Sequence, residues 1–181
     1  MSRARLTLIL GGAASGKSLL AEKLAAEAAP VTYVATAEAT DDEMAAKIKA
    51  HQARRPTSWR TIEVNGACLD HVIAKIDSGL LIVDCLTVYA ARVMAGGADA
   101  QTHLENVIDR MRSAPNDIIV VSNEVGLGIV PAYADGRTFR ELLGRVNQRL
   151  AALADNVYLM TAGLPVTLKG KELKGSVAAL T

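Results

Sequence analysis

The stretch Gly11-Gly12-Ala13-Ala14-Ser15-Gly16-Lys17-Ser18 decides the fold, because it fits the pattern G-x-x-x-x-G-K-[ST] in full. It follows the apolar run 6–10 and precedes an amphipathic segment that begins at Leu19, which predicts a strand, a glycine-rich turn and a helix. Gly11 and Gly16 allow backbone amide groups to turn inward, where they and the helix N-terminus bind phosphate. Lys17 is expected to reach the β- and γ-phosphates of a nucleotide, and Ser18 to ligate Mg²⁺.

Two other interpretations of this stretch compete with a phosphate-binding loop. A glycine turn that happens to precede a lysine would bind nothing, although the match and its strand–turn–helix context disfavour it. A dinucleotide-binding fingerprint requires G-x-G-x-x-G, and Ala13 stands where its second glycine should be. The stretch therefore favours a triphosphate as the ligand.

Composition limits the class of protein. The chain has 181 residues, of which 50% are hydrophobic and 3% aromatic, and this size predicts one domain spanning 1–181. Twenty basic and 19 acidic residues give a net charge of +1, which gives no reason to expect nucleic acid or an anionic membrane as a partner. Cys68 and Cys85 are predicted to be buried thiols rather than a disulfide. Without an apolar run of membrane-spanning length or room for a signal peptide, we expect a cytoplasmic protein.

Strand-like and helical patterns alternate, which is typical of an α/β fold with a mostly parallel sheet, helices on both faces and a C-terminal hairpin around 163–165. The predicted strands cover 6–10, 31–35, 59–63, 80–84, 117–122, 157–160 and 166–168. The predicted helices cover 17–29, 40–54, 68–76, a stretch after 84 that breaks at Gly96-Gly97, 102–112 and 137–154. Thr40 and Glu43 form a predicted capping box, and the tail from Lys169 is expected to be loose.

Ligands of parallel sheets bind beyond the carboxyl ends of the strands, and four predicted ends carry suitable residues: 11–18, 36–38, Asp84 and Asn123-Glu124. Asp84 follows four apolar residues, as in the second nucleotide motif of phosphate-loop proteins, and would hold Mg²⁺ directly or through water. A strand-end cap is the alternative. Glu124 could orient a nucleophile or a metal-bound water, or it could only stabilise the turn.

The segment around His51 is the second informative stretch. On a helix, Met44, Ile48, His51 and Arg55 share one face, so the apolar stripe points the histidine toward the protein body. Neighbouring Arg54 and Arg55 suit phosphate chemistry, and a neutral imidazole there could attack phosphorus and form a covalent intermediate. From spacing alone, a histidine that merely favours the helix dipole is the alternative.

Six segments together resemble the bifunctional adenosylcobinamide kinase / adenosylcobinamide-phosphate guanylyltransferase family of cobalamin synthesis, and they cover nearly the whole chain in order. They are the phosphate loop 11–18, Tyr33-Val34-Ala35-Thr36-Ala37, 41–44 leading to His51 and Arg55-Pro56, Asp84-Cys85-Leu86-Thr87, 122–131, and 144–150. The phosphate loop is common to many families. The His51 segment and the last two segments carry the resemblance.

That resemblance implies two reactions. In the first, the terminal phosphate of ATP or GTP goes to the aminopropanol hydroxyl of adenosylcobinamide. In the second, GTP gives GMP to a histidine with release of pyrophosphate, and adenosylcobinamide phosphate takes the GMP to form adenosylcobinamide-GDP. The guanylylated histidine corresponds to His51.

The resemblance also implies a RecA-like P-loop NTPase fold, a homo-oligomer that we expect to be a trimer, and a set of site residues. His51 and Lys17 are the expected catalytic residues, and Ser18 and Asp84 are the expected Mg²⁺ ligands. The expected nucleotide contacts are Gly11, Gly12, Ala13, Ala14, Ser15, Gly16, Lys17, Ser18, Thr36, Ala37, Glu38, Gln52, Ala53, Arg54, Arg55, Glu63 and Asp84. Two rival hypotheses remain: a small-molecule kinase in which His51 is structural, and a nucleotide-switched binding module.

Overall fold

The computed structural model describes residues 3–38, 41–64, 68–97 and 99–173. Its strands are β1 Leu6–Gly11, β2 Val31–Ala35, β3 Arg60–Glu63, β4 Leu80–Asp84, β5 Asp117–Asn123, β6 Asn156–Thr161 and β7 Leu164–Lys169. Its helices are α1 Lys17–Ala25, α2 Asp42–Arg54, α3 Leu69–Ala74, α4 Leu86–Ala95, α5 Ala100–Ser113 and α6 Ala134–Leu153. Thr40, the predicted N-cap of α2, lies outside the described residues.

The strands form one sheet in the order β3-β2-β4-β5-β1-β6-β7. Every neighbouring pair is parallel except β6 and β7, which form the antiparallel hairpin at one edge. The predicted α/β fold with a mostly parallel sheet and a C-terminal hairpin is therefore confirmed. Because β2, β4, β5 and β1 are consecutive neighbours, the four strand ends singled out in the sequence meet at one edge of the sheet.

Helices cover both faces of the sheet, as predicted. On one face, α3, α4, α5 and α6 bury side chains such as Leu69, Leu86, Leu104 and Leu143 in the larger apolar cluster. On the other face, α1 packs Leu20, Ala21 and Ala25 against a smaller cluster that contains Tyr33 of β2 and Tyr158 of β6. Alternate residues of the central strands belong to the two clusters, which explains why these strands are mostly apolar.

Several predicted helix boundaries were wrong. Helix α1 ends at Ala25 rather than residue 29, because the chain must straighten before Pro30 to enter β2. Helix α5 begins at Ala100 rather than Thr102, since the Asp99 side chain accepts a hydrogen bond from the Thr102 amide at 3.1 Å. Helix α6 begins at Ala134, three residues before the predicted start.

The hairpin turn was also placed wrongly. Ala162 and Gly163 have positive φ values of 51° and 79°, which is the conformation of a two-residue type I′ turn. Residues 164 and 165, predicted to lie in the turn, therefore belong to β7. Pro165 is tolerated there because β7 is an edge strand.

The first residues of the tail are tied to the fold, in contrast to the loose tail predicted from Lys169. The Lys169 Nζ donates to the carbonyls of Ala151 and Ala152 at 3.2 and 2.9 Å, and the Lys171 amide donates to Asn156 Oδ1 at 3.0 Å. The rest of the tail, 174–181, lies outside the described residues.

Of the two free cysteines, Cys85 is half-buried and Cys68 is exposed, so the prediction of buried thiols was wrong for Cys68. None of the described helices is long and apolar enough to cross a membrane.

Candidate functional site

The phosphate loop connects β1 to α1 in a backbone conformation that requires glycine at positions 11 and 16. Gly11 has a φ of 152°, and a Cβ placed there would lie 2.6 Å from both the Met160 carbonyl oxygen and Ser15 Oγ. Gly16 caps α1 with a φ of 94°. L side chains disfavour these angles, so glycine at both positions allows the loop to follow this path. The path leaves the N-terminus of α1 facing the strand ends.

Lys17 lies in the first turn of α1 and is buried within the loop. Its Nζ donates to the Gly12 carbonyl and lies 3.4 Å from Ser15 Oγ. Burial lowers the pKa of Lys17, while the negative charge of Asp84 acts to raise it. Lys17 follows the end of β1 and Asp84 ends β4, so both lie at the same edge of the sheet.

A cavity of about 290 Å³ lies between the phosphate loop and α2. Its lining consists of residues 14–19 of the loop and α1 together with His51 and Arg54 of α2. This volume is close to the lower end of the range for small-molecule pockets. The His51 segment, one of the three that carry the resemblance, thus lies across this cavity from the predicted phosphate site.

Polar contacts hold His51 at this cavity. Arg54 Nη2 lies 3.2 Å from His51 Nδ1, and because a guanidinium can only donate, Nδ1 is the acceptor. The same Nη2 lies 3.6 Å from Glu22 Oε1 of α1, which connects α2 to the other side of the cavity. Burial, and then the charge of Arg54, lowers the pKa of His51 below its usual 6.5, against the opposing effects of Asp84 and Glu22. The imidazole is therefore neutral near pH 7, as a nucleophile must be.

Asp84, at the end of β4, is paired with a buried tyrosine. Tyr33 of β2 donates its hydroxyl hydrogen to Asp84 Oδ2, and the Arg55 guanidinium carbon lies 3.4 Å from the centre of the Tyr33 ring. Burial and the negative charge of Asp84 raise the pKa of Tyr33 far above its usual 10, so the phenol remains a donor. Arg55 Nε and Nη1 are buried and have no hydrogen-bond partner among the described residues.

The remaining predicted contacts lie outside the lining of this cavity. Thr36 is 1% exposed, and its hydroxyl bonds to the backbone of Cys85, donating to the carbonyl at 2.7 Å and accepting from the amide at 2.8 Å. Glu38 pairs with Arg92 of α4 at 2.6 Å. Also outside the lining are Gly11, Gly12, Ala13, Ala37, Gln52, Ala53, Arg55, Glu63 and Asp84.

A buried polar network holds the end of β5 beside the phosphate loop. The Ser122 hydroxyl donates to Asn147 Oδ1 at 2.8 Å, and Asn147 Nδ2 donates to the Asn123 carbonyl at 3.1 Å. The Asn123 amide donates to Thr87 Oγ1 at 2.6 Å. The next amide, that of Glu124, donates to the Gly11 carbonyl at 3.0 Å, which joins this network to the phosphate loop.

Three residues of the site, Asn147, Glu22 and Tyr33, had no role predicted from the sequence. Asn147 interrupts the apolar stripe of α6, and a polar residue at a core position was a usable signal. Glu22 is an acidic residue at a buried position of α1, which was a weaker signal. Tyr33 stands in one of the segments that resemble the family, but no local signal predicted its pairing with Asp84, which lies on a different strand 51 residues away.

The donor groups expected to hold Mg²⁺ fit that ion chemically. Mg²⁺ prefers oxygen ligands and is usually held by one or two carboxylates together with substrate phosphates. Asp84 provides a carboxylate with one oxygen bonded to Tyr33, and half-buried Ser18 provides a hydroxyl. The negative charge of Asp84 also acts to raise the pKa of both Lys17 and His51, although burial lowers each of them overall.

Comparisons with known proteins agree with this geometry. Residues 7–168 match the model of a family described as cobinamide kinase / cobinamide phosphate guanyltransferase. The bifunctional adenosylcobalamin biosynthesis protein CobP of Pseudomonas aeruginosa is 42% identical over 172 residues, covering 92% of this chain and 98% of that protein. The protein CobU of Salmonella typhimurium, which has the same description, is 38% identical over 184 residues, covering 91% and 99%.

Solved structures support the fold alone. An ATPase from a bacterial type III secretion system matches with a TM-score of 0.55 at 13% identity over 89% of this chain, which spans about half (53%) of that larger protein. A protein of Pyrococcus horikoshii OT3 matches with a TM-score of 0.54 at 10% identity, covering 94% and 89%. The predicted P-loop NTPase fold is confirmed by these likenesses together with the phosphate loop.

Proposed function

This chain belongs to the cobinamide kinase / cobinamide phosphate guanyltransferase family, and on that premise we propose that one site performs both reactions, with His51 as the residue that carries GMP. The protein is an enzyme of cobalamin biosynthesis. The observation that supports the proposal most directly is the cavity in which His51 and Arg54 face the phosphate loop. A triphosphate held by that loop would present its phosphates to both residues.

In the kinase reaction, ATP or GTP provides the phosphate and adenosylcobinamide provides a hydroxyl. The hydroxyl oxygen bonds to the γ-phosphorus while the bond from that phosphorus to the bridging oxygen breaks, releasing the nucleoside diphosphate and a proton. Lys17 and the loop amides hold the phosphate oxygens in position and stabilise the charge that develops on them.

In the guanylyltransferase reaction, neutral His51 attacks the α-phosphorus of GTP. A phosphorus–nitrogen bond forms, pyrophosphate leaves, and the ring loses its proton to solvent. Arg54 now donates to His51 Nδ1, and a phosphate oxygen would be a stronger acceptor for the same guanidinium. A phosphate oxygen of adenosylcobinamide phosphate then attacks that phosphorus, the phosphorus–nitrogen bond breaks, and His51 takes back a proton from solvent and leaves as the neutral imidazole.

We propose Ser18 and Asp84 as the residues that hold Mg²⁺. When bound, the ion would neutralise negative charge on the phosphates of the nucleotide. The other proposed nucleotide contacts are those that the family resemblance implies, including Thr36, Ala37, Glu38, Gln52, Ala53 and Glu63, all outside the cavity lining in the present arrangement. Arg55 fits this role best, because its buried Nε and Nη1 have no partner among the described residues.

We further propose that the chain forms one domain and works in the cytoplasm as a homo-oligomer, with a trimer as the expected arrangement. Its partners are adenosylcobinamide, adenosylcobinamide phosphate, ATP and GTP. A net charge of +1 supports the expectation that nucleic acid is not a partner.

The decisive experiment asks whether GMP becomes attached to His51. The protein is mixed with Mg²⁺ and GTP labelled at the α-phosphate, and the reaction is quenched in alkali, where a phosphoramidate survives. We expect label on the native protein and none on His51→Asn. His71→Asn is the matched control, because His71 is exposed on α3 and should leave labelling unchanged.

A second variant separates this proposal from its rivals. Lys17→Ala should impair both reactions, because each requires the triphosphate on the loop. His51→Ala should retain phosphate transfer from ATP to adenosylcobinamide. A small-molecule kinase would transfer phosphate without ever taking label, and a nucleotide-switched module would hydrolyse triphosphate slowly without any acceptor. Equal loss of both activities in His51→Ala would contradict the assigned role of His51.

A further inference from the structure

Tyr33 connects the two halves of the site, although it is not among the site residues that the family resemblance implies. It is 1% exposed in β2 and belongs to the apolar cluster under α1. Its hydroxyl donates to Asp84 Oδ2, while its ring face carries the Arg55 guanidinium at 3.4 Å. One buried side chain therefore contacts both the carboxylate expected to hold the metal and the arginine that follows the His51 helix.

The hydroxyl has a definite consequence for Asp84. A carboxylate at a strand end can rotate, and a bond from a buried phenol restricts it to one orientation. Only Oδ2 is bonded to Tyr33, so Oδ1 remains for a cation or its water shell. A bond from an outer group that orients a metal ligand commonly changes metal affinity by 10- to 100-fold.

The ring has a separate consequence for Arg55. A guanidinium stacked on an aromatic face is held in one plane, with its N–H donors directed around the edge of the ring. Two of those donor nitrogens, Nε and Nη1, are buried without a partner among the described residues. Buried donors of this kind are costly unless an acceptor reaches them, and phosphate is the acceptor that suits a guanidinium best.

We propose that Tyr33 is a positioning residue for both reactions: its hydroxyl sets Asp84 for Mg²⁺ and its ring sets Arg55 for the phosphate of the GMP transferred to His51. This inference rests on the proposed function. A purely structural tyrosine would fill the same space in the core, but its hydroxyl and ring could be lost without a specific effect on metal or on GMP transfer.

Tyr33→Phe tests the hydroxyl, because it keeps the ring and removes one oxygen. Binding of a fluorescent GTP analogue is measured against Mg²⁺ concentration. We expect the Mg²⁺ concentration for half-maximal binding to rise about tenfold, with binding in EDTA unchanged. Tyr158→Phe is the matched control, because Tyr158 is buried in the same cluster but donates to the Lys171 carbonyl at 2.8 Å. An unchanged Mg²⁺ requirement in Tyr33→Phe, or an equal shift in Tyr158→Phe, would overturn the role of the hydroxyl.

Tyr33→Leu tests the ring through the rate of His51 labelling at saturating Mg²⁺. We expect labelling to fall at least tenfold below that of Tyr33→Phe, while phosphate transfer from ATP falls no further. In an Arg55→Ala background the same comparison should show no additional loss, because the stacked partner is already gone. Equal labelling in the leucine and phenylalanine variants would overturn the role of the ring.

Two controls keep these results interpretable. Thermal unfolding of each variant reports whether the fold survives, and if Tyr33→Leu does not fold, labelling by Arg55→Ala, which keeps the ring, replaces it. Labelling unchanged in Arg55→Ala would then overturn the role of the ring. Failure of the proposed function has a different signature: the native protein would take no label. The Mg²⁺ titration would still decide the Tyr33–Asp84 part in that case, because it measures binding rather than catalysis.

Discussion

The environment of His51 makes its reactivity dependent on pH in a predictable direction. The nucleophile that we propose is the neutral imidazole of His51, and burial together with Arg54 lowers its pKa below 6.5. Labelling is therefore retained above that lowered pKa and is lost only as the pH falls through it. We expect the acid limb of kcat/KM for GMP labelling, which reports the free enzyme, to lie below pH 6.5.

Arg54→Ala removes a cation whose charge lowers the pKa of His51, so the acid limb should move to higher pH. Arg54→Lys keeps the charge and should leave the limb close to its native position. A proton NMR titration of His51 in the free protein measures the same pKa without catalysis. A limb at or above pH 6.5 in the native protein, or no shift in Arg54→Ala, would contradict this account.

At this scale, motif residues were predictable and their partners were not. Lys17 and Ser18 follow from the spacing of the phosphate loop, since those positions serve phosphate chemistry in any suitable strand–turn–helix context. Arg54 lies within one helical turn of His51, so local spacing identified it too. The contacts of Tyr33 and Glu22 depend on the tertiary fold: Tyr33 lies on the strand next to Asp84, and Glu22 lies on the helix that faces Arg54 of α2. A single sequence does not specify those neighbours.

Among the elements, the junction of β5 and α6 depends on the network of Ser122, Asn123 and Asn147. Asn147→Ala would remove the acceptor of the buried Ser122 hydroxyl, which would keep only its 3.4 Å contact with Thr87 Oγ1, and it would remove the side-chain donor to the Asn123 carbonyl. We expect the free energy of unfolding to fall by about 2 kcal/mol in urea denaturation. Alanine favours a helix more than asparagine does, so the measured loss understates the value of the network.

Gln148→Ala is the matched control, because Gln148 is the next residue of α6 and is exposed. Its substitution should change the free energy of unfolding by less than about 0.5 kcal/mol. If the two variants lose similar stability, the hydrogen bonds of Asn147 do not stabilise the junction. Because the Glu124 amide bonds to Gly11, a real loss at this junction should also weaken triphosphate binding.

Strands were easier to predict than helix ends, for a physical reason. A strand buried on both faces is mostly apolar, so 31–35 and 80–84 were predicted with the observed bounds. Helix ends depend on groups elsewhere in the chain. Helix α6 begins early beside a loop that its own arginines hold: Arg137 donates to the carbonyls of Pro131 and Ala132, and Arg140 to those of Gly126 and Gly128.

For the whole molecule, alternation of strands and helices predicted the sheet but not the order of its strands. The insertion of β5 between β1 and β4 separates the phosphate loop from Asp84 by one strand. That order depends on long-range packing, and nothing in local periodicity encodes it. The consequence for function is that the end of β5, with Asn123 and Glu124, lies between the two nucleotide motifs.

The loop 124–133 is the surface most relevant to the proposed homo-oligomer. Leu127 and Ile129 are 85% and 97% exposed, and Val130 and Tyr133 are also largely exposed. Hydrogen bonds from Arg137 and Arg140 fix the loop, so these apolar side chains are held in water rather than left to fold inward. An exposed apolar patch of this kind commonly marks a protein interface. Because the family resemblance implies a homo-oligomer, we propose that a second copy of the chain covers this loop.

Light scattering after size exclusion tests this proposal. The native chain should elute with the mass of an oligomer, and Ile129→Asp should shift it toward the 19.1 kDa monomer because a buried carboxylate is costly at an interface. Val166→Asp is the control, since Val166 is another exposed apolar residue, on edge strand β7 far along the chain from the loop. A monomeric native protein would contradict the oligomer. If Ile129→Asp leaves the oligomer intact and Val166→Asp dissociates it, the interface lies at edge strand β7 rather than at loop 124–133.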